Sequence, residues 1–232
     1  MPARKQLTDL LTSVRQFSDA SGVLVISEID RQSKLFLEWV PYLNSLKTGV
    51  ADELLDGAVS SLREVAACSG LGLVRPALLA MRTEIDLILS WLYFKDHSVE
   101  WEFVNATGDG FKLKKEILDY LAKYCSEFGS RYGILKDTMT RTEVDPYRLL
   151  SAHIHSQSLS TLPMIDELKD VVKGADFVSD LPKLAHEVDE YISDILFSLL
   201  ASGWTQIPVT LIDSLDSRFK SKVQKKTFFN GK

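Results

Sequence analysis

The sequence predicts an all-α protein. Apolar residues recur at helical spacing along most of the chain, and strand-like runs are scarce, VLVIS (23–27) being the one short β-branched stretch. Breakers fall between the periodic segments: Gly49, Gly70, Gly72, the NATGDG loop (105–110) and Asp180-Leu-Pro182.

Ten helices follow in order. The first, 3–19, is polar and amphipathic. The second, 22–47, grows out of VLVIS and carries Pro41, which should kink or end it. The third, 50–69, lies between glycine breaks. The fourth, 71–95, has a stripe of Leu78, Met81, Ile85, Ile88 and Leu92, widened by Leu79, Leu89 and Trp91, and is mostly buried. DHSVEWEFVN (96–105) reads either as a cap on that helix or as a dimer surface, where aromatics are enriched. Helices at 111–128 and 130–140 follow the loop. The segment 146–159 opens with Asp145 as cap and Pro146 at the first helical position. Periodicity then predicts 163–173, 180–202 behind its aspartate, and 207–226. A linear division follows: an N-terminal helical extension (1–69), a helical core (70–203), and a last helix with a basic tail (204–232).

The 232 residues carry a formal net charge of -5. An acidic chain is not built to coat nucleic acid indiscriminately, so any such contact falls on local basic patches. Cys68 and Cys125 match no disulfide or metal spacing, as expected for a reducing cytoplasm. The N-terminus lacks a secretory apolar core, and LILSWLYF (87–94) is too short to span a bilayer. The expectation is a soluble cytoplasmic protein without membrane, cofactor or metal. His97 and His186 have no second ligand at metal spacing, and no phosphate-binding glycine loop is present.

Two places concentrate chemistry. The buried helix 71–95 carries Arg75, Arg82, Glu84 and Asp86, and charges on a buried helix are paired or functional. The stretch DPYRLLSAHIHS (145–156) places Arg148 in a first turn, the wrong end for a cation unless an anion comes to it. Tyr147, Leu150, Ser151, Ile154 and Ser158 share its core face. Arg148 and His155, seven residues apart, return to within roughly 20° of each other, whereas His153 diverges from Arg148 by roughly 140°. A guanidinium grips phosphate, and an imidazole moves protons near neutral pH. The pair therefore suits phosphodiester transfer without a metal, with the alternative of a packing arginine and a satisfied histidine. Ser151 and His155 lack an orienting carboxylate and read as packing more than as a nucleophile and base.

The segment YRLLSAHIHS (147–156), with an Arg-x4–6-His spacing from Arg148 to His153 or His155, resembles the HEPN superfamily. RPALLAMRTEIDLILSWLYF (75–94) is similar to the Arg-rich, Glu-containing core helix of bacterial HEPN-like families. The resemblance implies an up-and-down helical bundle over about 70–203, acting as a metal-independent endoribonuclease in toxin–antitoxin or phage-defence systems. It implies a homodimer whose Arg148 and His155 pairs meet around an RNA phosphate. Arg82, Glu84, Ser151, Tyr147 and His153 would form the surrounding pocket. Some members have lost activity. The alternative is thus a non-catalytic adaptor, or an RNA- or nucleotide-binding subunit, assembling with a partner protein of a defence operon. RNA contacts are expected from Lys136 and Arg141, and from Lys222, Lys225 and Lys226 in the acid-free tail (217–232), which also holds Phe228 and Phe229; the alternative for the tail is a solvated helix end, where cations suit the dipole.

Overall fold

The computed structural model describes residues 2–230, and every regular element in it is helical. The elements are α1 (Ala3–Phe17), α2 (Val23–Gln32), α3 (Lys34–Ser45), α4 (Asp52–Gly70), α5 (Val74–Phe94), α6 (Ser98–Thr107), α7 (Lys114–Tyr124) and α8 (Phe128–Asp137). They continue with α9 (Pro146–Ile154), the single-turn α10 (Ala175–Val178), α11 (Leu181–Leu200), α12 (Val209–Arg218) and α13 (Lys222–Asn230). A π-turn at Ser18–Gly22 joins α1 to α2.

Several boundaries depart from expectation. The long second helix breaks at Ser33, while α3 runs through Pro41 to Ser45. The stretch 98–107 is the helix α6, closed by Gly108 in the left-handed region at φ 75°. Its periodicity is weak because only Val104 is buried, while Val99 and Phe103 face out. The helix expected at 163–173 is absent; 3-10 turns at Leu159–Thr161 and Leu168–Val171 stand there instead. Pro163 disfavours helical backbone at the residue before it, and Leu162 is extended at φ -68°, ψ 135°. The last helix divides at Phe219, also extended, into α12 and α13.

The helices form two compact units that do not follow the linear division read along the sequence. Each gathers three separated segments. The first comprises Met1–Ser33, Ala58–Ile85 and Asp145–Val188, and the second Lys34–Gly57, Asp86–Val144 and Asp189–Lys232. Residues 231–232 of the basic tail lie outside the described residues.

In the first unit, the π-turn crosses the end of α4 at close range. Ser18 Oγ donates to the Gly70 carbonyl at 3.1 Å, and a Cβ on Gly22 would stand 2.7 Å from that same oxygen. Glycine is required there by contact, not by backbone angle.

The second unit is organised by acids on α11. Asp189 is buried and accepts the first free amides of α3, from Phe36 at 2.7 Å and Leu35 at 3.2 Å. It caps a helix some 150 residues upstream in the chain, meeting donors that have no partner within α3. Glu190 accepts the Thr140 amide (2.8 Å), the Thr140 hydroxyl (2.7 Å) and the Arg141 amide (2.8 Å). Asp194 is clamped between the guanidinium groups of Arg141 and Arg218, the latter at 2.7 Å. Arg218 also reaches Glu190 at 3.1 Å. Two cations thus face two anions, with Thr140 and backbone groups satisfying Glu190, Arg141 and Arg218 further, the pairing under which buried charges are tolerated.

Burial pushes the Asp189 carboxyl up to about 8, against the two α3 amides that favour its charged form. Between about pH 4 and about 8, the folded chain holds a proton that the unfolded chain has released. Asp189 therefore lowers stability as pH rises across that window, by at most ~1.4 kcal/mol per pH unit. Urea unfolding at pH 5 and pH 8 should show a smaller difference between the two conditions for Asp189→Asn than for the wild type. An unchanged difference would rule out this proton uptake.

Candidate functional site

Within the first unit, α9 is held to α5 by two arginines seven residues apart, hence on one face of α5 two turns apart. The Arg82 fork donates to Tyr147 Oη at 2.6 Å from Nη2 and to Ser151 Oγ at 3.1 Å from Nε. Its guanidinium carbon also stands 4.8 Å from the Tyr147 ring centroid. Arg75 donates through Nη2 to the Ile154 carbonyl at 2.9 Å and to Ser156 Oγ at 3.1 Å. The earlier arginine meets the later end of α9, so the two helices run antiparallel. Arg75 also brings a cation to the C-terminus of α9, where the dipole favours it.

The start of α9 matches expectation in position, with Asp145 at the cap and a buried Pro146 at the first turn, although the Asp145 side chain makes no capping bond. Its end does not. The helix stops at Ile154, His155 is the C-terminal cap, and Ser156 takes the left-handed conformation at φ 51°. The Gln157 amide reaches back to the Ala152 carbonyl at 3.1 Å, closing a Schellman turn with serine where glycine is usual.

This leaves Leu150 buried and Tyr147, Ser151 and Ile154 half-buried on the expected core face, with Ser158 beyond the helix. Arg148 and His155 are both exposed, and neither side chain makes a hydrogen bond or ion pair with a described residue. His153 is half-buried and likewise unengaged. Glu84 is buried on α5 and has a partner. Tyr147, Ser151 and Arg82 thus come together as one hydrogen-bonded group, while Arg148 and His155 stand free beside it.

The expected RNA contacts scatter. The Arg141 side chain is 0% exposed and bound to Asp194, so burial removes it from any RNA surface. Its acidic partners lie 49 and 53 residues further along the chain, beyond the reach of a local reading. Lys136 is exposed, its ammonium 4.5 Å from the Tyr132 ring centroid. Lys222, Lys225 and Lys226 occupy the first two turns of α13, where the dipole disfavours cations, and they line a cleft of about 330 Å³ with Trp204 and Phe229. Among the described residues, no group of three or more His, Cys, Asp or Glu is placed to hold a metal ion, and no helix is long and apolar enough to cross a membrane.

No protein-family model, curated protein or solved structure matches the chain. What the site does therefore rests on its own geometry.

Two stability measurements separate the pinned residues from the free ones. Arg82→Ala leaves two half-buried hydroxyls without their donor and should lower unfolding free energy by ~1–3 kcal/mol. Arg148→Ala and His155→Ala should stay within ~0.5 kcal/mol of wild type. At the end of α9, Ser156→Ala keeps the strained backbone and loses the Arg75 bond, whereas Ser156→Gly loses only the bond. Thermal melts should rank wild type and the Gly variant above the Ala variant, with Ala below Gly by ~0.5–1 kcal/mol.

Proposed function

We propose that the chain is a metal-independent endoribonuclease of the HEPN type, working as a homodimer in a toxin or phage-defence setting. The observation that supports this most is a contrast at α9: Tyr147 and Ser151 are locked to Arg82, while the side chains of Arg148 and His155 are exposed and unengaged. A packing arginine and a satisfied histidine would have partners; a phosphate grip and a proton carrier keep their polar atoms available until substrate arrives. The segments that resemble the superfamily, 75–94 and 147–156, are also the two that Arg75 and Arg82 join.

In this reading, His155 takes the proton from a ribose 2′-hydroxyl as its oxygen attacks the adjacent phosphorus. The bond to the 5′-oxygen breaks, leaving a 2′,3′-cyclic phosphate and a 5′-hydroxyl. Arg148 neutralises the developing charge on the phosphate oxygens. The second protomer's His155 returns a proton to the leaving oxygen, which is why one copy of α9 is insufficient. Arg75 and Arg82 act through position, fixing the helix from which both groups project.

The purified chain should cleave RNA in excess EDTA and leave 2′,3′-cyclic phosphate ends. Arg148→Ala and His155→Ala should each lose at least ~100-fold in rate, the scale of a lost acid–base group, with unchanged dimer content. Cleavage that survives in both variants, or no cleavage by the wild type, overturns the reading; the latter leaves a helical adaptor without chemistry.

A further inference from the structure

Within the second unit, the α13 cleft has features that α9 does not use. One wall is aromatic: Trp204 is 44% exposed, and its ring stands 5.5 Å from that of Phe229. The second feature is cationic. Lys222 and Lys226 are one helical turn apart on α13 and exposed, and their ammonium groups are engaged with no described residue. The third is an acceptor. Asp216 lines the cleft, its side chain 29% exposed and its Oδ2 bound by Lys225.

The walls are held from behind. Buried Arg131 donates to the Phe228 carbonyl at 3.0 Å and to Ser202 Oγ at 3.0 Å, tying α13 and the turn that carries Trp204 to α8. Phe228 is itself buried between Phe219 and Phe229, with ring centroids 5.3 and 5.2 Å away. The cleft is thus built on fixed backbone, and at about 330 Å³ it is the size of a small-ligand site.

We infer that the cleft between Trp204, Asp216 and the α13 lysines binds a nucleoside phosphate. One ligand class meets all three demands. A base supplies a flat face for Trp204, a ribose hydroxyl or base amino group donates to the exposed Asp216 carboxylate oxygen, and the phosphate supplies the negative charge for Lys222 and Lys226. Three lysines against one carboxylate leave the cleft net positive, so an anion is favoured even beside Asp216. The nucleoside phosphate is either a free nucleotide or one unit of an RNA strand; the chemistry of recognition is shared. This site stands independently of the reading given to α9.

The test is calorimetric titration of the full chain, in the His155→Ala background so that cleavage cannot consume RNA, with ATP, adenosine, inorganic tripolyphosphate and a 5′-phosphorylated RNA dodecamer. ATP should bind at least tenfold more tightly than adenosine or tripolyphosphate. Lys222→Glu/Lys226→Glu and Asp216→Asn should each weaken ATP at least tenfold, with melting temperatures within a few degrees of the parent. Trp204→Ala should do the same; the two exposed lysines keep the test valid if that variant unfolds. A dodecamer that binds at least tenfold more tightly than ATP identifies an RNA unit, and one that does not identifies a free nucleotide. Tripolyphosphate binding as well as ATP reveals a generic cationic patch and overturns the inference, as does the absence of binding by both ATP and the dodecamer at millimolar concentration.

Discussion

The candidate site depends on the reach of one side chain. Arg82 leaves a mostly apolar helix and meets a hydroxyl on each of two successive turns of α9, Tyr147 and Ser151. A planar fork with fixed donor directions accepts such a pair in one orientation of the partner helix, which a lysine would not do. With Arg75 on the far end, the rotation of α9 about its axis is set. That rotation decides which of its polar residues point inward and which are left to solvent. Exposure of Arg148 and His155 is therefore a consequence of where two other arginines sit.

Much of this was legible in the sequence because it is local. The stripe of Leu78, Met81, Ile85, Ile88 and Leu92 predicts burial, and all five are buried. Asp145-Pro146 marks the start of α9. The end of α9 was hidden because Ser156, not glycine, adopts the left-handed turn. The helix α6 was hidden because its apolar residues face outward, and the 163–173 pattern was broken by Pro163. The identity of Arg82's partners and the scattering of the two units over three segments each are long-range facts that no window of sequence contains.

The second unit shows the same limit. Arg141 reads along the chain as one more cation before α9, and only the fold reveals that Asp194 and Glu190 enclose it. Burial pushes Asp194 toward its neutral form, and the two guanidinium groups oppose that. Burial weighs most on Glu190 as well, but its bonds to Thr140 and the nearby Arg218 and Arg141 outweigh it, so it stays below the usual carboxylate range. The lysines of α13 were legible as a basic run, but not as the rim of an aromatic cleft, because that required the break at Phe219.

The distances bridged by α11 and α12 constrain how the chain matures. The first amides of α3 wait for Asp189, and the carboxylates of Glu190 and Asp194 wait for Arg218. Synthesis proceeds from the N-terminus, so α3 leaves the ribosome long before its cap exists. Loops of such length close slowly and give little reward until they do. The second unit therefore completes only once Arg218 has emerged, and its apolar segments from Lys34 onward are open to chaperones and to one another until that moment.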